Sequence, residues 1–236
     1  MNRWALSMGV SPREPLSNVA NLAKAAESYG FEALWYIDFQ LGMKDVYAAM
    51  NVAAMATTHT HIGPSVTNLV TRHPTVTANA MTALDELTDG RAMLGIGAGW
   101  SAVYGAGGQP SKLGDISNGI DEFRQLFTGD EQDLYGDRIQ LKTARRQIPI
   151  YIAVSQPGML RLCGEKADGA ILMGAADPEF CRWQLDYIYE GLAKAGRNRS
   201  DVLVDLVVTM SCRDDEEQAL NDVRAWATSQ AATFAP

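Results

Sequence analysis

Three short stretches of this sequence carry residue types able to do chemistry. Asp38 closes the apolar run Ala33 to Ile37. A carboxyl group at a strand end can serve as a general acid or base, or simply cap the loop that follows. Ser65-Val66-Thr67-Asn68 comes after Ile62-Gly63-Pro64. Pro64 has no N–H for a sheet ladder, so pairing stops or bulges there, and small side chains and free backbone groups come within reach of a ligand. An ordinary strand-to-helix connection would read the same way. Ser155-Gln156-Pro157-Gly158 precedes a helical pattern, with Ser155 or Gln156 near the cap and Pro157 suited to the first turn. The unpaired amides of such a start can hold a phosphate, although any helix begins this way.

Glycines form a fourth group. Gly97-Ala98-Gly99-Trp100-Ser101-Ala102 fits the dinucleotide pattern G-x-G-x-x-A after a strand. That motif belongs in the first strand–helix unit and should open a helix. Here it follows a fourth strand and runs into Tyr104-Gly105-Ala106-Gly107-Gly108, a poor helix former, which argues against a nicotinamide-binding domain. Gly169 and Gly174 bracket a later strand and permit close backbone approach.

The elements that must position these groups follow from periodicity. Apolar runs predict strands over Trp4–Val10, Ala33–Ile37, the Ile62 segment, Ala92–Ile96, Pro149–Val154, Gly169–Met173 and Val202–Met210. Helical spacing is expected from Leu16 up to Tyr29-Gly30, where Gly30 is a natural stop, and over Val46 to Met55, Pro74 to Leu87, Ile116 to Phe127, Met159 to Lys166 and Pro178 to Lys194, with another helix beginning at Glu216. Phe180, Trp183, Tyr187 and Ile188 are expected to point inward. Residues 101–114 read as a loop over the sheet's end, and 128–147 as a polar connection without a hairpin signal.

Strands separated by helices call for parallel pairing with right-handed crossovers. Seven such units predict an α/β fold of the (β/α)8 TIM-barrel type, incomplete with about seven strands present. It is read as one domain over 1–236 that stops in or after the seventh unit. In such a barrel Asp38, Ser65–Asn68, Gly97–Trp100, Ser155–Gly158 and Gly174 fall at the C-terminal strand ends and share one rim.

Bulk properties narrow the function. The 236 residues carry a net charge of −8, which argues against nucleic-acid or anionic-membrane surfaces. No apolar run is long enough for a membrane span, and no signal peptide is visible. Cys163, Cys181 and Cys212 form no close pair, as fits a reducing cytoplasm. His59 and His61 lie on the opposite rim, and His73 before Pro74 reads as a cap. Asp85, Glu86 and Arg91 read as a structural cluster at a helix end, and no residues have metal-ligand spacing.

Three segments in order resemble one family: G-P-S-V-T-N-L-V-T-R-H-P, then T-A-L-D-E-L-T-D-G-R-A-M-L-G-I-G-A-G, then P-I-Y-I-A-V-S-Q-P-G-M-L-R-L-C-G-E-K-A-D-G-A-I-L-M-G. They resemble the bacterial luciferase-like superfamily, nearest its coenzyme F420-dependent oxidoreductases of the methylenetetrahydromethanopterin reductase type. The resemblance implies a non-prolyl cis peptide at Ser65–Val66 backing the deazaflavin. It also implies a cofactor phosphate at Ser155-Gln156-Pro157-Gly158. Ser65, Val66, Thr67, Asn68, Gly97, Gly99, Ser155, Gln156, Pro157, Gly158 and Gly174 are the expected cofactor-binding residues, and Asp38 the catalytic candidate. The expected activity is hydride exchange between F420 and a small organic substrate, in a homodimer. FMN-dependent monooxygenation, or flavin or deazaflavin binding without turnover, are the alternatives. Members often carry an acidic residue on the first strand, where this sequence reads Leu6-Ser7-Met8.

Overall fold

A computed structural model describes residues 3–173 and 176–234. The chain opens with strand β1 (Ala5–Met8), helix α1 (Ser17–Ser28), β2 (Ala33–Tyr36) and α2 (Val46–Ala56). Next come β3 (His61–Pro64), β4 (Thr67–Asn68), α3 (Pro74–Leu87), β5 (Leu94–Gly97), α4 (Trp100–Gly105) and α5 (Leu113–Leu126). A hairpin of β6 (Glu131–Leu134) and β7 (Asp137–Gln140) precedes β8 (Ile150–Val154), α6 (Pro157–Lys166), β9 (Gly169–Leu172) and α7 (Pro178–Ala195). The final elements are β10 (Leu203–Leu206) and α8 (Glu216–Phe234).

Every barrel pairing is parallel. β1, β2 and β3 form one ladder, and β4, β5, β8, β9 and β10 the other. A parallel bridge between Ile62 and Ala92 joins the two ladders. β3 and β4 are one barrel strand interrupted at Ser65-Val66, so seven barrel positions follow one another in chain order. A doubly wound sheet would reverse its strand order part-way; this one does not, and the nicotinamide reading of Gly97–Ala102 falls with it. Among the described residues, β1 and β10 are each paired on one side only. Among the described residues no helix is long and apolar enough to cross a membrane.

Two apolar layers hold the barrel. Helices pack against the outside of the sheet through Leu34, Ile62, Met81, Leu94, Phe123, Ile152 and Cys163, all buried. Trp35, Met93, Tyr151 and Ile171 fill the bore. Trp35 meets Tyr151 edge-on at 5.1 Å, and its indole N–H donates to Asp205 Oδ2 at 3.1 Å, tying β2 to β10.

The helices end where sequence chemistry says they should. Asp45 accepts from the Ala48 amide to start α2, and His73 accepts from the Thr75 amide before Pro74 opens α3. α3 stops at Asp89 and Gly90, which take φ of 52° and 83°.

Four expectations need correcting. Residues 128–147 contain the antiparallel hairpin β6–β7. Tyr135 and Gly136 both have positive φ, as in a tight hairpin turn, but Tyr-Gly is a weak version of the Asn-Gly signal and the strands are mostly polar. Residues 101–114 are not all loop, because α4 forms and α5 starts at Leu113. The seventh barrel strand is paired only over Leu203–Leu206, shorter than Val202–Met210. On α7 it is Gln184, Ile188, Gly191 and Leu192 that face inward, while Trp183 is exposed between Phe180 and Tyr187 at ring separations of 5.4 and 5.1 Å. The reason lies in the α6–α7 contact. A side chain at Gly164 would reach 2.1 Å from the Ile188 carbonyl, and one at Gly191 would reach 2.0 Å from that of Arg161, so these glycines set which face of α7 is buried.

Candidate functional site

Asp38 follows β2 on the C-terminal rim. Its Oδ2 accepts from Thr67 Oγ1 at 2.7 Å, which places β4 directly against it. Burial pushes the Asp38 carboxyl up, while the Thr67 hydroxyl and the positive charge of Arg72 act in the opposite direction. Tyr47 Oη lies 3.5 Å from Thr67 Oγ1, and the Arg72 guanidinium sits 4.2 Å over the Tyr47 ring. Arg72 also reaches Asp45 at 3.4 Å. A carboxyl with one hydrogen-bonding partner and a raised pKa is suited to holding a proton for transfer.

The turn beside it contains a cis peptide between Ser65 and Val66. The Ser65 amide donates to the Tyr36 carbonyl at 2.7 Å, and then β4 resumes pairing with Ile96 and Gly97. Gly97 and Gly99 give this turn its room. A side chain at Gly97 would come within 2.7 Å of Val66, and one at Gly99 within 2.8 Å of Asn68. Gly99 also has φ of 92°, which favours glycine. Asn68 Oδ1 accepts from the amides of Val70 and Thr71 and from the Thr71 hydroxyl. Its Nδ2 is buried without a partner, as is Tyr36 Oη. Tyr36 packs with Leu34 in the layer beneath the helices, whereas a ligand group on this rim would supply the partner that Asn68 lacks.

The arc continues towards α6. The Ser111 amide donates to the Ala98 carbonyl at 2.9 Å, bringing the start of α5 to β5. Leu113 then lies where a side chain at Gly158 would touch it, at 3.4 Å. Gln156 occupies the N-cap of α6 with extended backbone and no side-chain cap hydrogen bond, and Pro157 opens the helix. α6 therefore offers first-turn amides with no capping side chain, next to Ser155. By contrast, Asp177 accepts from the amides of Glu179 and Phe180 at the start of α7.

Asp38, Ser65, Val66, Thr67, Asn68, Gly97 and Gly99 thus form a continuous patch. Ser155, Gln156, Pro157 and Gly158 extend it along the same rim. Gly174 lies outside the described residues. His59 and His61 are on the opposite rim, and His59 lies 3.5 Å from Glu27. Sequence reasoning passed over Tyr36, Tyr47 and Arg72. Tyr36 was detectable as the last residue of an apolar strand ending at the rim; nothing local marked Arg72. Gln40 was also missed. Its Nε2 donates to the Ala102 carbonyl at 2.7 Å and ties the β2–α2 loop to α4.

Residues 3–235 match the family model for luciferase-like monooxygenases. A 5,10-methylenetetrahydromethanopterin reductase from Methanolobus tindarius is 34% identical over 217 residues, covering 88% of this chain and 65% of that protein. An F420-dependent glucose-6-phosphate dehydrogenase from Microbacterium testaceum is 31% identical, covering 86% and 66%. The solved structure of a coenzyme F420 dependent tetrahydromethanopterin reductase from Methanopyrus kandleri superposes with a TM-score of 0.80 at 25% identity, covering 92% of this chain and 69% of that one. The chain spans just under two thirds of the Methanolobus relative's length. With a match running almost end to end, the chain belongs to the luciferase-like monooxygenase family.

Proposed function

We propose that this protein is an F420-dependent oxidoreductase acting on a small organic substrate. The observation that carries the reading is the meeting of Asp38 with the Ser65–Asn68 turn on one rim. Support comes from relatives near 30% identity, whose names include F420-dependent enzymes. That support favours F420 over FMN as the cofactor.

The residues present fit the group. Gly97 and Gly99 leave the Ser65–Asn68 turn free of side chains that would crowd a flat ring, and Asn68 Nδ2 is a polar atom in want of a partner. The uncapped start of α6, with Ser155, Gln156, Pro157 and Gly158, suits a phosphodiester. Gly174 is assigned to the same site on the family pattern alone. When bound, F420 supplies hydride exchange. Asp38 then has one task, to give a proton to the substrate heteroatom in reduction or to take it back in oxidation. Thr67 Oγ1 orients the carboxyl for that task by donating to Oδ2. Self-association as a homodimer is part of the same proposal.

Titration of the purified protein against F420, FMN and NADPH, followed by cofactor fluorescence, tests this directly. F420 is expected to bind at micromolar concentration or better, with FMN at least tenfold weaker. NADPH binding alone would overturn the proposal. Asp38→Asn should leave F420 affinity within threefold of the parent and lower turnover of any ketone, aldehyde or imine substrate by roughly 100-fold.

A further inference from the structure

Helix α4 and the β2–α2 loop build one wall of the rim, and that wall has a distinct chemistry. α4 touches both neighbours of the candidate site. Gln40 holds the Ala102 carbonyl, Leu41 lies where a side chain at Gly105 would come within 2.9 Å, and Gly99 adjoins Asn68. A side chain at Gly108 would come within 3.4 Å of Val70. The wall is thus continuous with the Ser65–Asn68 turn.

Its outer surface is apolar and aromatic. Leu41 is 67% exposed, Trp100 63% and Tyr104 52%. Trp100 and Tyr104 are one helical turn apart, with ring centroids separated by 5.9 Å. Large apolar residues grouped at a candidate site mark binding rather than packing. Neither Phe39–Met43 nor Gly97–Ser111 contains Asp, Glu, Lys, Arg or His, in a chain with 20% charged residues. The chain leaves the wall at Lys44 and Lys112. Arg72, the nearby cation, is already engaged by Asp45 and the Tyr47 ring.

Resting on the oxidoreductase reading, we infer that the substrate is an uncharged, flat or apolar organic molecule that stacks on Trp100 and Tyr104. A phosphorylated sugar, the substrate named for one relative, would need arginines or lysines facing its phosphate. This wall presents none. The two aromatic rings are specificity-determining residues: they supply area and a π-face at low conformational cost, and the wall around them offers an anionic group no counter-ion.

Calorimetric titration of the protein without cofactor, using 2-acetylnaphthalene and 2-naphthyl phosphate as matched probes, tests the assignment. The neutral probe should bind at least tenfold more tightly. Trp100→Ala should weaken it by about tenfold and Tyr104→Ala by somewhat less, while Trp100→Phe retains most of the affinity. F420 affinity of Trp100→Ala should stay within threefold of the parent. Tighter binding of the phosphate, or no loss in Trp100→Ala, would overturn the inference. So would an equal loss of F420 binding, which would make α4 part of the cofactor site. F420 binding without probe discrimination defeats the substrate assignment alone. Probe discrimination without F420 binding defeats the cofactor reading and leaves the apolar site standing.

Discussion

The two ends of the barrel treat their polar groups in opposite ways. At the N-terminal end the main charged groups are fully engaged. Glu27 accepts from the amides of Thr58, His59 and Thr60 and from the Thr60 hydroxyl. Arg91 donates to the carbonyls of Thr57, Thr60 and Thr88. Arg146 forks onto Asp85 at 2.6 and 3.0 Å, and Arg124 meets Asp168 at 2.6 Å. At the C-terminal end, among the described residues, Asp38 has one hydrogen-bonding partner, Asn68 Nδ2 has none, and α6 starts without a side-chain cap. Glu122 on α5 also has an unpartnered buried oxygen, for which the structure offers no account. One end is stitched shut by its own side chains, and the other keeps valences for something else to fill. This division matches the general placement of stability and function in such barrels.

The contrast can be broken from either end. The largest effect is expected at the closed end, where Arg91→Ala would strand three carbonyls. It should cost about 3 kcal/mol of stability, since each buried acceptor left unpaired costs about 1–3 kcal/mol before relaxation. A chemical denaturation curve reads this, and F420 affinity of the folded variant should not change. If affinity falls as far as stability, the two ends are not independent.

A smaller and opposite effect is expected at the open end. Gln156→Asp gives α6 the carboxylate cap that Asp177 gives α7. It should stabilise the helix start by about 1 kcal/mol and weaken F420 binding roughly 30-fold, because the carboxylate takes the amides and repels the phosphate. A cofactor titration alongside a melting curve would show affinity and stability moving apart. Movement together would mean that α6 holds no anion.

The smallest effect sharpens the comparison through pH. Burial alone would push the Glu27 carboxyl up, but the donors from residues 58–60 outweigh it and hold the pKa at about 2, against an ordinary value of 4.5. A depressed carboxyl stabilises the fold above the unfolded-state value and loses that contribution as pH falls from there towards about 2. Glu27→Gln should therefore lower the melting temperature by about 5 °C at neutral pH, from loss of hydrogen bonds to a charged group. The gap should narrow as pH drops from about 5 to about 3. A gap independent of pH would mean that Glu27 is not held ionised by its turn.

Much of the scaffold was legible because its signals are local. α3 begins at Pro74 and ends at Leu87 as its proline start and Asp-Gly stop indicate. The strand runs stood out because both faces are buried, one under the helices and the other in the bore, as in Leu94–Gly97 and Gly169–Leu172. The hairpin was hidden because Glu131–Leu134 is polar and its turn is Tyr-Gly. The exposed face of α7 was misread because the deciding contact, Gly164 against Gly191, joins two helices. At the site, the Ser65–Val66 bond was readable only through family resemblance, since no propensity favours a non-prolyl cis peptide. Arg72 and Tyr47 were invisible as neighbours of Asp38, because that grouping depends on the start of α2 meeting the β4–α3 connection.

Laying the strands down in chain order bears on assembly as well as architecture. Each strand finds its partner in the element formed just before it or after a short excursion such as the β6–β7 hairpin, so most loop closures are small and the entropy they cost is modest. The Trp35–Asp205 hydrogen bond is the conspicuous exception, since it closes a span of 170 residues. Each unit can therefore dock on its predecessor, and β2 and β10 meet across the bore only when β10 has formed.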